Sequence, residues 1–278
     1  MHRPARVAVV GRGRVGLVLA RALACSGLGV RVLARSRSRL PAPLGHSLTG
    51  WRTPLGEADL ILIAVTDDEI AGVAEQIEEM GVVRRGQVVL HTSGLLDSGA
   101  LGALKPAGAS LGSFHPLQSF VKGSWKDDDI LTGITMVAEG DRGAVAAGRR
   151  LARVLGMRPV TIAARDKPRY HAAAVFASNY LVVLGDIAAR LGKFEGGVEP
   201  FLPLMRTTLA NLEAVDLADA LTGPISRGDV GTVRAHLAVL TGTERELYLM
   251  LGREALRIAA PKLARKRVAE LREVLGAP

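Results

Sequence analysis

Two side chains that could move a proton stand close together beyond the midpoint of the chain. Lys167 and His171 are four residues apart, so they share one face of a helix that begins there. Such a pair can supply the proton that a carbonyl oxygen or an imine nitrogen needs when its carbon accepts a hydride. We predict that Lys167 and His171 are catalytic, and that Ser178 and Asn179 on the same helix bind substrate. The alternatives are a buried structural histidine and a solvated lysine at a helix start.

Polar residues also follow two apolar runs that have the character of β-strands. His91-Thr92-Ser93-Gly94 ends one run, and His115 ends the next. Because ligands of open α/β sheets lie beyond the carboxyl ends of the strands, we predict that Ser93, Gly94 and His115 bind substrate. His91 and His115 could instead hold a metal ion. Neither a nearby cysteine nor a helical His-x-x-x-His pattern accompanies them, so we predict no metal site.

Three glycines near the beginning of the chain have the spacing of a phosphate-binding turn. Gly11, Gly13 and Gly16 directly follow the apolar run Arg6–Val10 and open a predicted helix at 15–26. This is the context in which Gly-x-Gly-x-x-Gly holds the pyrophosphate of a dinucleotide against a helix N-terminus. The predicted cofactor-binding residues of this turn are Gly11, Arg12, Gly13, Arg14, Val15 and Gly16.

The end of the second predicted strand indicates which dinucleotide is bound. The sequence there is Arg35-Ser36-Arg37, with no carboxylate nearby. A guanidinium and a hydroxyl suit the 2′-phosphate of NADP, whereas NAD binding uses an acidic residue at this place. We therefore predict NADP (NADPH) as the cofactor, although these arginines could also be ordinary surface residues. The next strand end adds three residues that we expect to border the cofactor: Val65, Thr66 and Asp67.

The elements that must position these residues form two contrasting halves. Strand patterns recur at 6–10, 30–34, 60–65, 87–91, 110–114, 134–138 and 158–161, with helices between them, and only helical patterns follow. We predict an α/β Rossmann domain with a doubly wound, mostly parallel sheet at 1–164, followed by an all-α domain at 165–278. The helix predicted at 170–191 is apolar nearly all round. We expect it to be buried in the helical domain or in a dimer interface rather than in a membrane.

The composition narrows the classes of protein. Of the 278 residues, 48% are hydrophobic, which is enough to build a substantial core. The single cysteine, Cys25, excludes a disulfide framework and indicates a reducing, cytoplasmic location, and we expect its thiol to be buried. The net charge of +9 is spread along the chain without a nucleic-acid-reading motif. The expected partner is a small, anionic substrate, with no nucleic acid and no membrane.

In combination, these segments resemble a known family. The segments are the glycine triplet, His91-x-Ser93-Gly94, Phe114-His115-Pro116-Leu117, Lys167-x-x-Tyr170-His171 with Ser178-Asn179, and the turn at 221–229. The chain resembles bacterial Rossmann-like oxidoreductases that carry a C-terminal helical domain of unknown function. That family lies in the 6-phosphogluconate dehydrogenase-like superfamily, beside ketopantoate reductases, β-hydroxyacid dehydrogenases, pyrroline-5-carboxylate reductases and imine reductases.

The resemblance implies roles for residues of the long helix. In β-hydroxyacid dehydrogenases and ketopantoate reductases, a lysine at the start of this helix is the catalytic acid, and an asparagine one turn later binds substrate. Lys167 matches that lysine, whereas His171 stands where the asparagine is usual. The resemblance also implies a homodimer whose helical domains contribute to each other's clefts.

These observations favour an NADP(H)-dependent oxidoreductase that reduces a small carbonyl or imine compound, with a 2-oxo acid such as ketopantoate as the first candidate. Two other functions stay open. A non-catalytic dinucleotide sensor or scaffold would need Gly11, Gly13, Gly16 and Arg35 but not Lys167. A metal-assisted redox protein would use His91 and His115.

Overall fold

The computed structural model describes residues 5–276 and confirms the predicted α/β architecture followed by helices. Seven strands form one sheet in the order β2-β1-β3-β4-β5-β6-β7, and every neighbouring pair is parallel except β5 and β6. The strands are β1 Arg6–Val10, β2 Gly29–Leu33, β3 Leu60–Ile63, β4 Val88–His91, β5 Ser110–Pro116, β6 Thr135–Gly140 and β7 Arg158–Thr161.

Helices cover both faces of this sheet, and the remaining helices follow it along the chain. With the sheet lie α1 Arg14–Cys25, α2 Arg52–Glu57, α3 Asp67–Glu79, α4 Arg142–Val154 and α5 Lys167–Ala177. After these come α6 Asn179–Gly192, α7 Leu202–Ala214, α8 Leu217–Ala220, α9 Val230–Val239, α10 Gly242–Ala259 and α11 Arg265–Leu275.

The apolar strands explain why the sheet forms and where its cores lie. All four residues of β3 are buried, as expected of a strand that is covered on both faces. Because alternate side chains of a strand point to opposite faces, Leu62 packs into one core and Ile61 and Ile63 into the other. Each fully buried side chain of this size contributes about 2 kcal/mol. The sheet is therefore a rigid base for the loops at its carboxyl edge.

The chain divides into two compact units, the first ending at Asn179 and the second beginning at Tyr180. Helix α5 belongs to the first unit, together with the sheet. The domain boundary predicted from the sequence, between residues 164 and 165, lies at the end of the strand patterns and therefore precedes this helix. The second unit has a core of its own, formed by Ile225, Val233, Leu256, Leu271 and Leu275.

Two expectations about burial are wrong for the single chain. The helix predicted at 170–191 is interrupted at Ser178 by a non-helical backbone, and its apolar side chains are not buried in their own unit. Phe176 and Val182 are 70% and 74% exposed. Cys25 is exposed because it occupies the last position of α1, past the buried stripe. The alternative of a dimer interface for 170–191 stays a prediction.

The same apolar stretch has one further property. The helical run Ala164–Gly192 is long and apolar enough to cross a membrane by length and composition, and 6% of its most apolar window is buried. Asp186 and Arg190, which form an ion pair on α6, interrupt this apolar surface. A cytoplasmic location stays a prediction.

Candidate cofactor and active site

The turn between β1 and α1 leaves no room for side chains at two of its glycines. Gly11 has a φ of 107°, and a Cβ atom placed on it would lie 2.3 Å from the carbonyl oxygen of Ala64. A Cβ on Gly16 would lie 2.5 Å from the carbonyl oxygen of Gly11. The backbone can therefore turn sharply and bring the N-terminus of α1 close to the sheet. This is the local structure that lets a pyrophosphate approach free N–H groups.

A cavity of about 570 Å³ opens at this turn and brings together most of the predicted cofactor residues. Its lining includes Gly11, Arg12, Gly13, Arg14, Val15, Arg35, Ser36, Val65 and Thr66. The other three predicted residues do not line it. Gly16 is buried beneath the turn, Arg37 is exposed outside the cavity, and Asp67 accepts a hydrogen bond from Ser93 Oγ at 2.8 Å.

Nine residues of the lining were not predicted from the sequence. Five are aliphatic, and the aromatic and polar ones are Trp51, Glu69, Gln76 and Thr92. Glu69 and Gln76 come from α3, one and three turns after the strand end that marks the site. Trp51 follows Gly50 in a segment that has no strand pattern, directly before α2. Only Thr92 carried a usable signal, since it directly follows β4 at the carboxyl edge.

Several charged and polar side chains that line this cavity form hydrogen bonds with one another. The Arg35 guanidinium donates to Glu69 Oε1 at 2.5 Å, and Thr66 Oγ1 donates to Glu69 Oε2 at 2.9 Å. These hydrogen bonds, that from Thr66 first, lower the pKa of Glu69 below its usual range. Arg12 donates to Ser36 Oγ at 3.2 Å. Two guanidinium groups and a hydroxyl thus lie close together in this cavity, and donors of this kind suit a 2′-phosphate.

The residues of this cavity fit a dinucleotide phosphate. The bare glycines give the close approach, the start of α1 gives N–H donors, and Arg12 and Arg35 give positive charge. Thr92 lines the same cavity and is followed directly by Ser93. The cavity therefore reaches the strand end at which the second group of predicted residues lies.

Lys167 is the centre of that second group. Its side chain is fully buried, and its ammonium donates to the Ser93 carbonyl oxygen at 3.0 Å and to Ser113 Oγ at 2.8 Å. Burial lowers the pKa of Lys167 to about 8, whereas the nearby carboxylates, Glu139 first, oppose this effect. An ammonium with a pKa this near neutrality can both hold and release a proton under ordinary conditions.

Glu139 supplies the negative charge behind Lys167. It is 4% exposed and accepts hydrogen bonds from the Ser98 backbone N–H and hydroxyl at 2.9 and 2.8 Å. Ser113 Oγ, which also binds Lys167, lies 3.4 Å from Glu139 Oε2. The two buried charges are thus bridged by one hydroxyl. A buried ammonium tolerates loss of solvent only with such polar partners.

His91 is held at the base of the same edge. Its Nε2 lies 3.0 Å from the Asp97 carbonyl oxygen, and its Nδ1 lies 3.2 Å from the Ser93 backbone nitrogen. A neutral ring satisfies both contacts by donating from Nε2 and accepting at Nδ1. Burial, followed by the charge of Lys167, lowers the pKa of His91 to about 4. This histidine therefore orients the Ser93 segment.

Two further histidines meet at Gly94. A Cβ atom on Gly94 would lie 2.6 Å from His171 Nδ1 and 2.9 Å from His115 Nε2. The two imidazole rings are 6.1 Å apart between centroids. His171 Nδ1 is buried and has no hydrogen-bond partner among the described residues. The structure thus brings the predicted residues Lys167, His171, His115, Ser93 and Gly94 to one place.

The two remaining residues predicted to bind substrate, Ser178 and Asn179, make no hydrogen bond to this cluster among the described residues. Ser178 interrupts the helical run and Asn179 opens α6. Their role in substrate binding stays a prediction.

Two family models match successive parts of this chain. Residues 2–116 match the model of a Rossmann-like domain, and residues 134–255 match that of a domain of unknown function, DUF2520. No curated protein matches the chain.

Solved structures extend the match to nearly the whole chain. A Bacteroides fragilis protein named as an inferred NADP oxidoreductase is 23% identical, with a TM-score of 0.70, and the match covers 91% of this chain and 98% of that one. An imine reductase from Pseudomonas sp. is 18% identical with a TM-score of 0.62, over 98% and 100%. A pyrroline carboxylate reductase from Plasmodium falciparum, with NADP bound, is 14% identical with a TM-score of 0.60, over 96% and 98%. At these identities the similarity shows a shared fold.

Proposed function

We propose that this chain, in which a Rossmann-like domain is followed by a DUF2520 domain, is an NADP(H)-dependent oxidoreductase that reduces a small carbonyl or imine compound. The observation that carries the proposal is the continuity between two groups of residues. The cavity at the bare glycine turn includes Thr92, and the next residue, Ser93, binds the Lys167 ammonium. A cofactor in that cavity would therefore end beside a buried proton donor.

The proposed chemistry divides between the cofactor and this chain's own residues. NADPH, when bound, supplies the hydride. The electron pair of the substrate's C=O or C=N bond then moves to the oxygen or nitrogen, which must gain a proton. The Lys167 ammonium has three hydrogens and, within residues 5–276, two hydrogen-bond acceptors, so one hydrogen is left for that atom. His171, whose Nδ1 has no partner in the described chain, would bind the substrate alongside it.

The comparisons support the proposal without deciding the substrate. The matched Pseudomonas protein is named an imine reductase, and the Plasmodium protein is named for pyrroline carboxylate and holds NADP. A 2-oxo acid such as ketopantoate is the other class to test, because the net charge of +9 favours an anionic substrate.

We also propose a homodimer. Large apolar side chains on α5 and α6 are exposed in the single chain, among them Phe176, Val182, Val183, Leu184 and Leu191. Exposed apolar side chains in such number are typical of a protein interface. Sedimentation or light scattering would measure the oligomeric state directly, and a monomer at micromolar concentration would contradict the proposal.

The decisive experiment begins with binding. Calorimetric titration with NADPH and NADH should give tighter binding of NADPH. A screen of NADPH oxidation over 2-oxo acids and cyclic imines then tests turnover. Binding without turnover of any member would favour the sensor or scaffold function, and the absence of binding to either nucleotide would overturn both.

A further inference from the structure

Tyr170 and His115 form a close pair beside the proposed substrate position. Tyr170 lies in the first turn of α5, and His115 lies near the end of β5, 55 residues earlier. The Tyr170 hydroxyl is 2.6 Å from His115 Nδ1, and the rings meet edge-on at 80° with centroids 5.6 Å apart. No local sequence pattern joins a strand end to a distant helix, so this pair could not be predicted from the sequence.

The direction of this hydrogen bond follows from the number of partners. The phenol has one hydrogen to place, and His115 Nδ1 is its only acceptor among the described residues. If Nδ1 carried a hydrogen instead, the phenolic hydrogen would have no acceptor in a half-buried setting, which costs free energy. The phenol therefore donates, and a neutral His115 ring must carry its hydrogen on Nε2.

The surroundings keep both groups neutral. Burial raises the pKa of Tyr170 to about 12. Burial, followed by the charge of Lys167, lowers the pKa of His115 to about 4. Near neutral pH the pair is thus a phenol and an uncharged imidazole.

The edge of His115 that carries Nε2 lies against Gly94, beside the residue whose carbonyl oxygen binds Lys167. Its Nε2 has no hydrogen-bond partner in residues 5–276, and it approaches the bare Cα of Gly94 beside His171 Nδ1. Gly94 directly follows Ser93, whose carbonyl oxygen binds Lys167. His115 Nε2 and the Lys167 ammonium thus contact two consecutive residues, Gly94 and Ser93, after the end of β4.

We propose that Tyr170 is a positioning residue that fixes His115 as its Nε2–H tautomer, so that neutral His115 donates a hydrogen bond to the reacting oxygen or nitrogen of the substrate. This inference rests on the proposed reductase function for its catalytic part. His115 stabilises the negative charge that develops on that atom, while the proton itself comes from Lys167. A neutral imidazole suits this work because it donates a hydrogen bond without requiring acidic conditions.

The chain offers a matched control. Tyr248 and His236 form a second pair of the same kind in the second unit, with the hydroxyl 2.8 Å from His236 Nδ1 and the rings at 90°. Tyr170→Phe and Tyr248→Phe each remove a phenolic hydroxyl from the Nδ1 atom of a histidine. The first pair adjoins Gly94, whereas the second belongs to a separate unit of the chain.

The first test is the tautomer of each histidine in the protein alone, from two-bond proton–nitrogen spectra of nitrogen-15-labelled protein, with His115→Asn used for assignment. His115 should carry hydrogen on Nε2, and Tyr170→Phe should convert it to a tautomer mixture. Tyr248→Phe should alter only the signals of His236. A His115 ring protonated on Nδ1, or one unchanged by Tyr170→Phe, would overturn the inference.

The second test uses whichever substrate the NADPH oxidation screen returns. Tyr170→Phe should lower kcat about tenfold and His115→Ala about a hundredfold, with the NADPH dissociation constant unchanged. Tyr248→Phe should leave both constants unchanged. Unchanged kcat in Tyr170→Phe refutes the catalytic part alone. NADPH binding with no turnover of any compound refutes the proposed function and this catalytic part together, whatever the tautomer spectra show.

Discussion

The ammonium of Lys167 lies 2.8 Å from the hydroxyl of Ser113, a residue 54 positions earlier in the chain, and the lysine side chain is fully buried. The charged side chain at the start of α5 thus binds a residue in the middle of β5. Ser113 also connects this ammonium to Glu139, so the three residues form one buried chain of polar contacts. The chemistry of the proposed site depends on this arrangement.

The pH dependence of turnover tests the role of Lys167. The ammonium is the proton-donating form, and it predominates below its pKa of about 8. We expect kcat/KM to be constant below pH 8 and to fall about tenfold for each pH unit above it. Lys167→Met should lower kcat by about a hundredfold or more and abolish this pH dependence.

Lys105→Met, at an exposed position, is the control for Lys167→Met and should leave the rate unchanged. Lys167→Met also leaves the Ser93 carbonyl and Ser113 hydroxyl without their donor, at a cost of about 2 kcal/mol. Chemical unfolding of the variant separates this loss of stability from the loss of rate. Full activity in a folded Lys167→Met protein would refute the assignment.

Gly11→Ala tests the phosphate-binding turn. The new Cβ would meet the Ala64 carbonyl oxygen at 2.3 Å, and the positive φ of 107° is unfavourable for alanine. We expect the affinity for NADPH to fall by about a hundredfold or more, as measured by calorimetry, because the turn must move away from the cofactor.

Gly27→Ala separates this steric effect from backbone strain. Gly27 also has a positive φ, of 84°, but a Cβ there would have no neighbour within 4 Å. The variant should lose about 1 kcal/mol of stability and bind NADPH normally. Equal losses of affinity in both glycine variants would show that the close approach to Ala64 is not what matters.

Arg35 and Glu69 should act in opposite directions on cofactor preference. Arg35→Ala removes the proposed ligand of the 2′-phosphate. It should weaken the binding of NADPH about tenfold and leave the binding of NADH unchanged. Glu69→Gln frees Arg35 from its carboxylate partner and should strengthen NADPH binding about threefold, since an exposed ion pair is weak.

Both dissociation constants can be measured by calorimetry for each nucleotide. Arg39→Ala, which replaces an arginine outside the cavity, is the control for the change in charge. If Arg35→Ala and Arg39→Ala weaken NADPH binding equally, the effect is one of general charge and Arg35 is not a specific phosphate ligand.

Acid should destabilise the fold through His91. The folded-state pKa of about 4 lies below the ordinary value of 6.5, so between these values the unfolded chain binds a proton that the native ring excludes. The contribution of neutral His91 to the free energy of unfolding is therefore fully present above pH 6.5 and is lost as the pH falls towards 4. For this fully buried ring the loss is about 3 kcal/mol. His115 acts in the same direction.

Urea unfolding between pH 4 and pH 7.5 measures this effect. His91→Asn should flatten the acid slope even if it lowers stability at neutral pH. His46→Asn replaces an exposed ring, which loses little hydration on folding, and should leave the slope as it is. An unchanged slope in His91→Asn would contradict the assignment.

The sequence was sufficient for the sheet and the cofactor turn because the signals there are local. Apolar runs such as that at 60–65 identify strands. Gly11, Gly13 and Gly16 identify the turn because their spacing occurs directly after a strand and at the start of a helix. Once parallel strands are recognised, their carboxyl ends must share one edge. That rule was enough to predict that Ser93, Gly94 and His115 lie together.

The sequence was not sufficient to predict side-chain contacts that depend on the direction of a strand or on the packing of elements distant in the chain. Glu139 reaches Ser113 because β6 runs antiparallel to β5, so a residue near the carboxyl end of β6 lies opposite the middle of β5. No periodicity encodes that reversal. The contact of Tyr170 with His115 likewise depends on how α5 packs. The exposure of 170–191 was missed because an apolar helix has the same pattern whether its own domain or another surface covers it.

The missing side chain at Gly94 has an evolutionary consequence. Two ring nitrogens occupy the volume that a single methyl group would need there. Replacement of Gly94 by any other amino acid therefore forces the two histidine rings or the Gly94 backbone to move. Lineages that keep both rings must keep this residue, whereas lineages that abandon the chemistry are free to fill the space.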